Sequence, residues 1–445
     1  MNELKKIFSN AVLKYSLIAV AASLAFGVFT NVLPEKISQK DPVYGYGSDG
    51  QVYWDLGGNL AKGLGFVNSP GFAFSYIYPV NYYTYGTQRL PGYPLLLAAV
   101  RALNKSAGPN GASVAVLNLI LVFLNAYFII GLLRKFLPGV SNKWYLSVAL
   151  FPPFLLYSNG INSDFFLAVL LAGFCYFLAQ EGKKTWLALP FAAFAFFTRA
   201  NALFFIVPFL ILLTVFNRKN RKILWLSGCT IFAVALIFLG WSWRNQKLSG
   251  SFNFAPYTGS QLEQNYIRKI YRNSRPSGQE RFYRWNMPDF VLARFTQLAK
   301  TGGIYSAEAE MNKEMINDTI SLLWQQKFLA VKVYIRDVAQ ILTNEYFIFN
   351  MARAFNNLYI WAAVWIAVIL LYSLPGALML FLAAVFAFSR KTSFPAILLY
   401  SAALYTLGTA AVLGDFSRYI EPVGFAIIYS VIFVFTLKDK SSIIK

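Results

Sequence analysis

Apolar runs of roughly 17 to 25 residues recur through most of this chain, each long enough to cross about 30 Å of hydrocarbon. Inside a bilayer every backbone N–H and C=O must be paired within the protein, so runs of this length are expected to form spanning helices. Composition agrees: of 445 residues, 57% are hydrophobic and only 13% charged, a balance foreign to water-soluble domains of this size. The expected fold class is an all-α polytopic membrane protein. Ten spans are expected, at about 11–33, 111–133, 143–158, 163–180, 185–199, 201–216, 223–243, 368–388, 394–413 and 416–437.

Two segments interrupt this rhythm: a loop over 34–110 and a longer one over 244–354. They divide the chain into a transmembrane module (1–243, including the 34–110 loop), a loop region (244–354) and C-terminal transmembrane helices (355–445), with short interfacial helices expected in both loops. The first run, 11–33, is longer than a signal-peptide core and lacks a small-residue cleavage site, so it reads as a span.

The formal charge of +21 raises the question of nucleic acid, but the distribution of the cations answers it. Lys5, Lys6, Arg134, Lys135, Lys143, Lys183, Lys184, Arg218 to Lys222, Arg390, Lys391, Lys438 and Lys440 all fall on one face under this span list. That face is expected to be cytoplasmic. Both long loops then face the exterior or periplasm, and no nucleic-acid partner is expected. Arg244 to Lys300 carries ten basic and three acidic residues, a mild exception, since long loops translocate largely regardless of charge. Tyr305 to Thr343 reads as amphipathic helix, with Met311, Met315, Ile316, Ile320 and Leu323 at helical spacing.

The two cysteines, Cys175 and Cys229, lie in apolar runs without a CxxC or metal-ligand spacing. The chain has no histidine, which removes the commonest metal ligand and the usual general base. Acid–base chemistry would fall to carboxylates, Tyr or Lys.

Unusual polar residues gather on the outer side of this topology. Asp49 and Arg89 lie in the first loop, Asn159 to Asp164 between spans three and four, and Arg199 with Asn201 between five and six. Arg244 and Asn245 leave span seven, and Asp415, Arg418 and Tyr419 open the last. A charge well inside a membrane costs about 2.5 to 3.5 kcal/mol on insertion scales, so such residues need partners, water or the interface. Carboxylates placed beside arginines suit the activation of a hydroxyl near a phosphate. Each residue also has a plainer reading. Asp49 in Ser-Asp-Gly forms turns readily, Asp55 caps or pairs locally, and Asp164 opens an apolar run as a helix cap. Arg89, Arg199 and Arg418 suit interface anchoring, and Trp243 and Tyr419 an aromatic belt.

The order of motifs carries a resemblance. Asp49, Tyr53, Asn59-Leu60, Gly63-Leu64-Gly65-Phe66 and Arg89-Leu90-Pro91-Gly92-Tyr93-Pro94 resemble the first outer loop of C-type (GT-C) membrane glycosyltransferases. The likeness is strongest to the bacterial branch related to protein O-mannosyltransferases and lipid A aminoarabinose transferases. Asn162-Ser163-Asp164, Phe197-Thr198-Arg199, Trp243-Arg244-Asn245 and Arg418-Tyr419-Ile420-Glu421-Pro422 resemble that family's later motifs in the same order.

The resemblance implies transfer of a sugar, with inversion, from a polyprenyl-phosphate donor to a lipid, glycan or protein acceptor. The site would lie on the extracytoplasmic face of the inner (plasma) membrane, and 1–243 would be the catalytic module. Asp49 would be the base and Asp164 a supporting carboxylate. Arg89, Arg199, Arg244 and Arg418 would hold the donor phosphate, with Tyr93 and Tyr419 lining the substrate site. No cofactor is implied, and the absence of an adjacent acidic pair at Asp49 argues against a metal-dependent variant. A flippase for polyprenyl-linked sugars and an O-antigen-type polymerase or ligase are the rival readings.

Overall fold

A computed structural model describes residues 10–32, 48–70, 73–74, 78–79, 84–86, 89–104, 112–151, 160–254, 289–343, 374–388, 393–413 and 422–441. Arg418, Tyr419, the basic run 268–284 and the stretch 355–373 lie outside these residues. Ser48 and Asp49 are described through their backbone.

The fold is almost wholly helical, and the chain has the architecture of an all-α membrane protein. The central element is α6 (Ser163–Leu178), apolar around its whole circumference and buried along most of its length, as expected of a helix that has no solvent face. Against it pack α4 (Ala112–Phe136) and α7 (Ala188–Thr198). Helix α1 (Ala11–Val32) lies on α4 and on the short α5 (Asn142–Ala149). On the other side α8 (Leu203–Phe216) packs along α14 (Phe394–Leu413), which also holds α13 (Leu374–Phe388) and α15 (Gly424–Ser441). Ring contacts close the bundle, with Phe136 stacked on Phe394 at 4.7 Å and Trp144 beside Phe435 at 5.3 Å.

Three helices among the described residues are long and apolar enough to cross a membrane: α4, α9 (Arg221–Ser249) and most of α14. Six shorter apolar helices accompany them. The expected ten spans are therefore not what the described residues carry, and two places show why. Within the expected segment 143–158, the described residues carry the eight-residue helix α5, about 12 Å long, which ends ahead of Pro152-Pro153. The segment 185–199 opens as a 3-10 turn, Gly182–Leu187, leaving eleven α-helical residues.

Helix α9 sits at the periphery. Asn220 caps it by accepting from the N–H groups of Lys222 and Ile223, and Gly250 ends it in the left-handed conformation at φ 73°. Trp225, Phe232, Leu236 and Leu239 are exposed along it, the pattern of a helix turned toward acyl chains. Its 29 residues make about 43 Å, enough to clear hydrocarbon and headgroups, so Arg244 emerges where the helix leaves the apolar layer.

One end of the bundle is covered by the segments expected as long loops. The first folds into α2 (Ser48–Ala61) and α3 (Gly92–Leu103), with two short antiparallel pairs between them, β1 (Val67–Asn68) with β4 (Thr84–Tyr85) and, inside it, β2 (Ala73–Phe74) with β3 (Tyr78–Pro79). A Cβ on Gly57 would come within 2.9 Å of Leu97 Cβ and 3.0 Å of the Pro94 carbonyl. Glycine here permits the close crossing of α2 on α3. Arg101 locks the pair, lying 4.8 Å over the Trp54 ring and donating to the Trp54 carbonyl at 3.3 Å.

The second loop supplies α10 (Asp289–Gly302), α11 (Ile304–Gln325) and α12 (Lys327–Thr343). The two loops meet where the Tyr85 N–H donates to the Tyr305 hydroxyl at 2.7 Å.

Candidate functional site

Four sequence-distant segments converge where α2, α3, α6 and α7 meet. The turn before α6 organises them. Asn162 is the N-cap, its side-chain oxygen accepting from the N–H groups of Asp164 (2.8 Å) and Phe165 (3.4 Å). Asp164 is therefore not the cap itself but an acid in the first turn, where the helix dipole favours it. The Asn162 N–H donates to the Tyr93 hydroxyl at 2.9 Å, and Asn118 of α4 donates to the Gly160 carbonyl at 3.1 Å. The turn is thus held from two sides.

Asp164 is 1% exposed and pairs with Arg199, Nη2 to Oδ2 at 3.1 Å. Arg199 also donates from Nε to Ser163 Oγ at 3.0 Å. It can reach both because it is the C-cap of α7, in extended conformation at φ −149° and ψ 132°, which swings its side chain out of the helix and across the start of α6. Two residues on, Asn201 donates to the buried Tyr405 hydroxyl of α14 at 2.9 Å. The Phe197-Thr198-Arg199 turn is thereby fixed to the second half of the bundle.

Two glycines bring the first loop onto these turns. A Cβ on Gly92 would lie 2.6 Å from Thr198 Oγ1 and 2.8 Å from the Phe197 carbonyl, so the start of α3 rests directly on the α7 terminus. A Cβ on Gly50 would lie 3.4 Å from the Ile161 carbonyl. That contact sets the backbone of Asp49, one residue before Gly50, beside the turn leading to Asp164.

Tyr93, expected at the substrate site, is buried, its ring 5.4 Å from Tyr53 and 5.6 Å from Phe166. Burial pushes its phenol well above the ordinary tyrosine range, outweighing the opposing effect of the hydrogen bond at Asn162. Its hydroxyl is consequently a neutral hydrogen-bonding group. Arg89 is half-buried with its guanidinium 5.7 Å over the Tyr53 ring. Arg89, Tyr53, Tyr93, Asn162, Asp164 and Arg199 thus form one connected set of side chains.

Arg244 is placed differently. It donates to the carbonyls of Gly86 (3.2 Å) and Phe66 (3.5 Å) and to Asn245 Oδ1 (2.9 Å), with its guanidinium 4.4 Å over Trp241. It works as a clasp on the segment flanking the β1–β4 pair. It touches the Asp164 cluster only indirectly, through Trp241 edge-on to Phe197 at 6.1 Å. Asp55 also has local work: it accepts from the N–H and the hydroxyl of Ser69, each at 2.6 Å.

Of the residues expected to act, the structure brings together Arg89, Tyr93, Asp164, Arg199 and the backbone at Asp49, and sets Arg244 apart. Arg418 and Tyr419 lie outside the described residues. Sequence reasoning missed Tyr405, a tyrosine inside an apolar run. The only signal was that a phenol in an apolar run will find some hydrogen-bond partner, without saying which. Among the described residues no three His, Cys, Asp or Glu side chains are grouped to hold a metal ion.

No family model matches the chain, and no curated protein or solved structure matches it.

Proposed function

We propose that this protein is a membrane glycosyltransferase of the C-type class, moving a sugar from a polyprenyl-phosphate carrier to an acceptor hydroxyl or phosphate at the extracytoplasmic face of the plasma membrane. The observation that carries the reading is the convergence of four motif-bearing segments around the buried Asp164–Arg199 pair: Asp49-Gly50, Arg89 to Tyr93, Asn162 to Asp164 and Phe197 to Arg199.

In this reading the Asp49 carboxylate takes the proton of the acceptor hydroxyl as the acceptor oxygen attacks the anomeric carbon. The bond from that carbon to the phosphate oxygen breaks, and the carrier phosphate leaves with the electron pair, giving inversion. Asp164, matched by Arg199, balances charge and orients the acceptor side. The leaving phosphate would be held among Arg89, Arg199, Arg244 and Arg418, of which Arg199 also pairs with Asp164 and Arg244 also donates to two carbonyls. Tyr93, buried, braces the Asn162 turn from behind the site, and Tyr419 lines the substrate site. Purified protein offered monophosphate-linked and diphosphate-linked donors tests this directly. Transfer from the monophosphate alone supports the reading, and transfer from the diphosphate alone identifies a polymerase or ligase.

One observation favours a transporter instead. Asn125, in the middle of α4, is buried with neither its amide nitrogen nor its oxygen hydrogen-bonded, and polar groups near the bilayer midplane suit alternating access. Flux of a lipid-linked sugar across liposomes without glycosidic product would establish that alternative.

A further inference from the structure

Helices α11 and α12 form a hairpin with a small core of its own, Val333 buried among Leu322, Leu323, Leu329 and Ala330. One side of α12 is committed to the bundle: Tyr334 and Val338 pack against the main core, and Asp337 is fully buried. The neighbouring side, about a quarter-turn round the helix, carries Phe328, Val331 and Ile335, all exposed, Phe328 to 85%. At 100° per residue these three fall within about 60° of one another on the helix. Lys332 and Arg336 border this ridge on one side and Lys327 on the other, all three exposed, with Lys327 Nζ 5.8 Å over the Phe328 ring. Trp324, 83% exposed, stands at the end of α11 just before the turn.

An apolar ridge flanked by cations on a helix held against a bundle is the pattern of an element lying in a membrane interface. Its depth is fixed independently. The Tyr334 hydroxyl donates to the Leu407 carbonyl of α14 at 3.2 Å. Leu407 lies six residues before the end of α14, about 9 Å along the axis, and α14 is one of the three helices long and apolar enough to span. The attachment therefore holds α12 near the boundary between headgroups and acyl chains.

The charges select the occupant. Asp337 is the sole acid between Lys327 and Thr343 and is buried, so the exposed charges of α12 are all positive. A second copy of this chain meeting the ridge face to face would oppose like charges. We propose that α12 is an interfacial anchor, with Phe328, Val331 and Ile335 among acyl chains and Lys327, Lys332 and Arg336 on the phosphates of anionic lipids. The anchor holds α11, and through Tyr305 and Tyr85 the first loop, at a fixed height over the bundle end. The proposal rests on the membrane architecture and stands whatever reaction the site performs.

The test uses the full chain with Cys175 and Cys229 replaced by Ser, carrying one spin label at Phe328→Cys, Val331→Cys or Ile335→Cys, with Lys313→Cys on exposed α11 as the reference. Collision with oxygen and with a water-soluble nickel chelate is measured in nanodiscs of phosphatidylethanolamine and phosphatidylglycerol, and of phosphatidylcholine alone. Ridge labels should be several-fold less accessible to nickel than the Lys313 label and more accessible to oxygen. Exchanging Lys327, Lys332 and Arg336 for Gln should weaken the dependence on phosphatidylglycerol, on the order of fivefold per charge removed; none of the three is packed into the bundle.

Ridge labels as open to nickel as the reference would overturn the proposal by placing the ridge in water. Shielding from both probes, or dipolar broadening between labelled copies, would overturn it in favour of a protein partner. Shielding indifferent to phosphatidylglycerol and to the Gln exchanges would refute the lipid selectivity.

Discussion

Replacing Asp164 by Asn removes one negative charge while keeping side-chain volume, so no cavity forms and the effect isolates the ion pair. Arg199, 14% exposed, loses the Asp164 carboxylate. Removing one partner of a fully buried pair typically costs about 3–5 kcal/mol. Since Arg199 retains some contact with solvent and the Asn oxygen can still accept from it, about 2–3 kcal/mol is expected here. Arg199→Met should cost a similar amount by taking the guanidinium from the buried Asp164. The double substitution should cost clearly less than the sum of the two, with a coupling of about 1–3 kcal/mol. Equilibrium unfolding of all four proteins in mixed micelles gives that coupling directly. Additivity within about 0.5 kcal/mol would refute the claim that the pair ties α6 to α7, and with it the geometric basis of the site.

Gly92→Ala drives a methyl against the Phe197 carbonyl and Thr198 and should lower stability by about 1–3 kcal/mol, read as a reduced Tm; an unchanged Tm would contradict the close approach. Tyr93→Phe strands the Asn162 N–H in a buried turn, a loss of about 1–3 kcal/mol, and activity should fall with it if that turn positions the acidic residues. Arg244→Met releases the Gly86 and Phe66 carbonyls and should raise the rate of limited proteolysis between β1 and β4, with little change in the melting of the helical bundle. Asp55→Asn, losing much of its hold on Ser69, should cost about 1 kcal/mol and leave turnover per folded molecule intact.

What the sequence revealed and what it hid divide along physical lines. Periodic features were legible. The apolar runs announced a helical membrane protein, and the spacing of Met311 and Met315 announced an amphipathic helix in which Met311 is buried, although the 305–343 stretch breaks at Gln326 into α11 and α12 and Ile320, expected on the same face, is 59% exposed. Asp55 was expected to pair locally and does so with Ser69.

Span boundaries were less legible, because hydropathy does not register where a helix stops. Leu150 ends α5 just before two prolines although the apolar composition continues, and the first turn of the expected 185–199 span is 3-10. Long-range polar pairing was invisible. Nothing local to Asn201 names Tyr405, and nothing local to Tyr85 names Tyr305. Arg244 was expected on the donor phosphate, but a guanidinium suited to phosphate is equally suited to backbone carbonyls, and here it holds the carbonyls of Gly86 and Phe66.

The identity of Asp49 as the base is the centre of the proposed reaction. The decisive measurement places wild-type protein and Asp49→Asn in proteoliposomes with a polyprenyl-monophosphate sugar and counts glycosidic product and released carrier phosphate. Wild type should form the two in equal amounts, while the Asn variant, folded with an unchanged Tm, should form neither above background. Product formed by Asp49→Asn at the wild-type rate would contradict the assignment.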